Sequence, residues 1–64
     1  MIGKEILVYN NGKNGEYREA KIIDEAENKY KIIWSDTENY AGQVSKEFLN
    51  KFDAPYYWVF ENTI

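Results

Sequence analysis

Two apolar, β-branched segments separated by a polar bend organise the chain between Glu16 and Val44. In Lys29–Asp36, Tyr30, Ile32 and Trp34 fall on one side of an extended strand and Lys29, Lys31 and Ser35 on the other, with Ile33 the single exception. Alternation with a period of two marks a strand that buries one face. In Glu16–Ile23, Ala20 and Ile22 share one face while Glu19 and Lys21 share the opposite one. The polar tip Asp24–Asn28 joins these segments as an antiparallel hairpin. Upstream, the β-branched and aromatic content of Lys4–Tyr9 predicts a first strand. Asn10–Gly15 holds three Asn and two Gly, residues that accept the positive φ of a tight turn or compact loop.

Downstream, Ser35–Asn39 is turn-prone, and Tyr40–Val44 predicts a short strand in which Gly42 marks a bulge. Ser45 can cap a helix over Lys46–Phe52 that places Phe48, Leu49 and Phe52 on one side. Seven residues form no independent helix, so this one must pack on the sheet. Pro55 ends it, and Tyr56–Phe60 closes the chain as the last strand. Five short strands with one helical turn before the last predict an all-β, five-stranded SH3-like small barrel, a single domain over residues 1–64. Closing the sheet removes most of the edge that would otherwise invite aggregation.

A chain of 64 residues buries only about 60% of its unfolded surface, so its core must be dense in large side chains. Two Trp, six Tyr and three Phe supply that density, and the total exceeds what one small barrel encloses. Alternation in the last strand sets Tyr57 opposite in facing to Tyr56, Trp58 and Phe60, so the four rings are not all expected to be buried. Surplus exposed rings mark a contact surface.

Cysteine and histidine are both absent. That removes disulfides, thiolate metal sites, the usual general base near neutral pH and the commonest nitrogen metal ligand. With no phosphate-cradling loop, metal-ligand spacing or nucleophile motif either, no enzyme, metal or cofactor is expected. The net charge of −3 works against affinity for a phosphate backbone and suits a cationic target. No apolar run is long enough to cross a bilayer, and Met1–Glu5 lacks the start of a signal peptide, so the expectation is a cytoplasmic, monomeric protein.

Several stretches resemble the Tudor family of SH3-like barrels. Gly15-Glu-Tyr-Arg-Glu-Ala-Lys-Ile22 is similar to its second-strand pattern, in which a Gly and an aromatic precede a small and then an apolar residue. Tyr30-Lys-Ile-Ile-Trp-Ser-Asp36 with Asn39 resembles its next strand and loop, and Val44-Ser-Lys-Glu-Phe-Leu49 resembles the entry to its short helix. The likeness spans about residues 4–52, and chromo-barrel, agenet and KOW-type domains satisfy the same patterns.

Tudor domains that read methylated lysine or arginine surround the cation with three or four rings, each favourable contact contributing about 0.5–2 kcal/mol. The resemblance implies Trp34 as one wall, Asn39 as the polar member and Tyr9 as the first wall. Tyr17 lies one residue out of register with the usual second wall. Thr37 stands where the family has tyrosine and Glu38 where it has glycine, so a full cage requires Tyr40 as a substitute.

The expected function is a non-catalytic module that binds a protein or peptide segment, cationic or methylated on Lys or Arg. Tyr9, Tyr17, Trp34 and Tyr40 would be the anchors, and Asp36, Glu38 and Asn39 the polar partners. One alternative is a nucleic-acid-binding barrel using Arg18, Lys21, Lys29 and Lys31 on the outer face of the hairpin. Another is an accessory protein of a phage or mobile element that docks on a host protein, for which the Lys-, Asn-, Ile- and Glu-rich composition is the cue.

Overall fold

A computed structural model describes residues 2–10 and 15–63. Five antiparallel strands form one curled sheet: β1 (Glu5–Asn10), β2 (Tyr17–Glu25), β3 (Lys29–Trp34), β4 (Tyr40–Ser45) and β5 (Tyr56–Phe60). Their spatial order is β4-β3-β2-β1-β5, so the chain meanders through four strands and then returns to lay β5 along β1. This is the expected all-β, five-stranded fold, its sheet curled into a half-barrel, with a 3-10 turn over Lys46–Phe48 before the last strand and a second over Glu61–Thr63 after it. No helix among the described residues is long and apolar enough to cross a membrane.

Alternation decides what each strand buries. Ile6 and Val8 of β1, Ala20 and Ile22 of β2, Tyr30 and Ile32 of β3, Val44 of β4 and Trp58 of β5 form the core on the concave side. Trp58 is fully enclosed, with its ring edge-on to Tyr30 at 5.7 Å and to Phe60 at 5.3 Å. Its Nε1–H donates to the Ser45 carbonyl oxygen at 2.8 Å, which satisfies the one polar atom the indole takes inside.

Gly42 sits where the pairing of β3 with β4 slips by one residue, at φ 98°, a conformation that L side chains rarely adopt. The expected bulge is therefore present. A second slip near Ile23 separates the register at Ile22 from that at Asp24 and leaves Ile23 exposed.

One expectation is corrected. The helix forecast over Lys46–Phe52 is a 3-10 turn of three residues, and the Ser45 side chain makes no capping hydrogen bond. Leu49 is already extended and bridges to Trp58, and Asn50, at φ 60°, donates its N–H to the Trp58 carbonyl. Pairing with β5 thus outcompetes a helix too short to sustain itself. As a result Phe48 and Leu49 pack against the concave core, whereas Phe52 is redirected to the convex side beside Tyr57.

In β5 the four rings are, as expected, not all buried, but the partly open ones are Tyr56 and Phe60, while Tyr57, which does face away from Trp58, is buried. Tyr57, Leu7 and Val59 form a separate cluster on the convex side, with Tyr9 packed against it. The turn forecast over Asn10–Gly15 falls mostly on residues 11–14, which lie outside the described residues.

Candidate functional site: an aromatic row on the convex face

Antiparallel register brings Tyr9 of β1 opposite both Tyr17 of β2 and Tyr57 of β5. The three rings line up across the sheet, and Phe52 extends the line beyond β5. Tyr17 and Tyr9 are tilted with centroids 5.4 Å apart, Tyr9 and Tyr57 are stacked at 4.7 Å with planes 7° apart, and Phe52 meets Tyr57 edge-on at 5.0 Å. Burial differs sharply along the row. Tyr57 is 2% exposed and forms its floor, while Tyr17 at 58% and Phe52 at 52% stand open at its ends. Desolvation holds the Tyr57 hydroxyl above its ordinary pKa, and Tyr9 adds to the shift.

Along the same face, two residues beyond Tyr17 on β2, lies Glu19. Carboxylate oxygens of Glu5, Glu19 and Glu61 lie within 4.8 Å of one another. Their crowding raises the Glu61 pKa above its usual 4.5, first through a hydrogen bond with Glu5, then through partial desolvation and the charges of Glu5 and Glu19. Folded protein therefore holds more protons than the unfolded chain between pH 4.5 and the raised value. Stability falls as pH rises through that window, and the repulsion is fully present at neutral pH. Glu61→Gln is accordingly expected to raise the melting temperature at about pH 7 and to leave it unchanged near pH 3, where carboxyls are protonated in either state. Equal melting temperatures at both pH values would show that the three groups do not repel one another.

The six residues expected to form one site divide between the two faces. Tyr9 and Tyr17 come together on the convex face. Trp34 lies on the concave side, in register with Ala20 and packed against the main core. Its exposed ring face is covered by the chain's own Arg18, whose guanidinium carbon is 4.4 Å from the ring centroid. Asp36 pairs with the same Arg18 at 3.2 Å.

Asn39 is held in the turn after β3, where its N–H donates to Thr37 Oγ1 and its carbonyl accepts from the Trp34 N–H. Glu38 in that turn adopts φ 61°, the left-handed conformation that glycine takes most readily. Tyr40 is 60% exposed but sits on β4, three strands from Tyr9. The one feature shared by Tyr17 and Asp36 is an open depression of about 400 Å³ also lined by Arg18, Glu19 and Ser35.

Phe52 and Tyr57 were not among the expected site residues. The out-of-phase facing of Tyr57 in β5 was a usable signal for it. Phe52 carried none, because its position depends on where the 3-10 turn stops.

Of the four hairpin cations, Lys21, Lys29 and Lys31 face the convex side, and only Arg18 departs from the expected grouping. Arg18 lies on the concave side against Trp34, while Lys21 stands opposite Glu5 and Lys31 opposite Asp24. Comparison with protein families, with curated proteins and with solved structures found no match to this chain.

Proposed function

We propose that this chain is a non-catalytic binding module whose convex sheet face docks a protein or peptide segment of basic character. The observation that carries this reading is the row Tyr17–Tyr9–Tyr57–Phe52, which is packed from beneath and open at both ends. Rigid aromatic anchors offer large contact area at low entropic cost, the usual make-up of an interface hot spot. Net charge −3 and the carboxylates of Glu5, Glu19 and Glu61 beside the row suit a cationic segment. A methyl-lysine cage built from Tyr9, Tyr17 and Trp34 is less favoured, since its walls would have to meet across the sheet.

Rings on a sheet face also stack nucleobases, which keeps single-stranded nucleic acid as a second reading. Its backbone would meet the same three carboxylates, and Arg18 and Lys46 are engaged by Asp36 and Glu25. Catalysis is disfavoured by the absence of His and Cys and by carboxylates that lie exposed to water.

Panning a random peptide library on the immobilised protein is expected to enrich aromatic residues together with Arg or Lys. The enriched peptide, titrated into ¹⁵N-labelled protein, should shift the amides of Tyr9, Tyr17, Phe52 and Tyr57, with affinity falling as salt is added. Shifts confined to Trp34 and residues 36–40 would move the site to the other face. No shift at about 1 mM peptide, the weakest affinity of interest, would reject peptide docking. A labelled oligothymidylate that bound more tightly than any peptide would favour the nucleic-acid reading.

A further inference from the structure

Charge and spacing on the convex face narrow the chemistry of its partner. Tyr17 and Glu19 are two residues apart on β2 and project to the same side, a separation of about 6.6 Å along the strand. Leu7, in register with both Glu19 and Val59, is nearly fully buried, as is Val59, so an apolar floor lies beside Glu19 and between the ring row and the carboxylates of Glu5 and Glu61. Glu5 and Glu61 bring their carboxylates beside that of Glu19 from β1 and from the turn after β5. Among the described residues, the ion pairs formed by Arg18 and Lys46 go to Asp36 and Glu25 and not to these three groups. The face thus presents apolar rings at one end and three carboxylates one to two side-chain repeats away, bordered by Lys21 opposite Glu5.

Resting on the docking role proposed for this face, we propose that the bound segment is extended and carries an arginine two residues from an aromatic or large apolar side chain. The apolar group lies on the Tyr17–Tyr9–Tyr57–Phe52 row, and the guanidinium sits among Glu5, Glu19 and Glu61. Residues i and i+2 of an extended chain point the same way, which matches the spacing of Tyr17 and Glu19. Arginine is favoured over lysine because its planar fork of five N–H donors can engage two carboxylates at once. Binding would also set a cation among three carboxylates that otherwise crowd one another.

The test uses two synthetic peptides, acetyl-Gly-Phe-Thr-Arg-Gly-amide and its counterpart with Gln in place of Arg, titrated into ¹⁵N-labelled protein at low salt. The Arg peptide is expected to bind about tenfold more tightly and to shift the amides of Glu5, Glu19 and Glu61 as well as those of the row. Glu19→Gln and Glu61→Gln, tested separately, are each expected to remove most of that difference while the Gln peptide binds them as it binds the parent protein. Equal affinities for the two peptides, with only the row shifted, would overturn the arginine assignment and leave the docking role standing. Failure of both peptides to shift any amide on this face would overturn both.

Discussion

Replacing Trp58 by alanine is expected to remove from a third to all of this protein's stability at 25 °C. The indole is fully enclosed, edge-on to Tyr30 and Phe60, and donates to the Ser45 carbonyl from inside the barrel. Truncating a buried Trp costs about 3–5 kcal/mol through lost transfer energy and the cavity left behind. At the usual 0.05–0.15 kcal/mol per residue, a chain of 64 residues has about 3–10 kcal/mol in all. One substitution therefore removes a third of the stability at best and all of it at worst.

A urea titration followed by far-ultraviolet circular dichroism should show the Trp58→Ala midpoint lowered by about 3–5 M, or no folded baseline at all, taking an m-value near 1 kcal/mol/M. Trp58→Phe keeps most of the packing but leaves the Ser45 carbonyl without its donor, and should cost a smaller amount, about 1–3 kcal/mol. A midpoint for Trp58→Ala within about 0.5 M of the parent would mean that this ring does not hold the barrel together.

Trp58 also shows why some of this fold was legible in the sequence and some was not. Strands β2 and β3 announced themselves because each buries one face: Ala20 and Ile22, then Tyr30, Ile32 and Trp34, keep strict phase. The bulge at Gly42 was legible because a glycine within an otherwise regular strand signals a backbone that a side chain would strain. Strand β5 was recognised as a strand whose rings are not all buried, but which of them stay partly open was not legible. Tyr57 and Trp58 point to opposite faces and both are buried, since the convex side of β5 has a covering of its own in Tyr9 and Phe52. Period-two alternation tells which residues share a face, never how many faces are covered.

The candidate site was less legible for a related reason. Tyr9 and Tyr17 were singled out together, and their proximity follows from the register of β1 on β2. Grouping them with Trp34 required knowing which side of the sheet each faces, and the pairing of Trp34 with Ala20 places it on the other one. Arg18 supplied the concave side with its own cation, an arrangement that depends on residues 16 positions apart and leaves no trace in local pattern. Phe52 joined the row only because the turn before it stops after three residues, a tertiary effect of pairing with β5.

Removing both open ends of the row is expected to abolish peptide binding while the barrel stays folded. Tyr17 and Phe52 are each more than half exposed, so Tyr17→Ala and Phe52→Ala forfeit little buried area in the free protein. Truncating an anchor at the centre of an interface costs about 2 kcal/mol or more, close to 30-fold in affinity. Combined, the two substitutions should lower affinity by roughly two to three orders of magnitude where they act independently. The measurement is a titration of the library-selected peptide into the double variant, alongside a urea midpoint to show that the barrel persists. Tyr40→Ala is the matched control, since it deletes an equally exposed ring three strands away on β4. Should Tyr40→Ala weaken binding and the double variant leave it intact, the contact surface would lie at the β4 edge, and the convex row would be reduced to a structural covering for Tyr57.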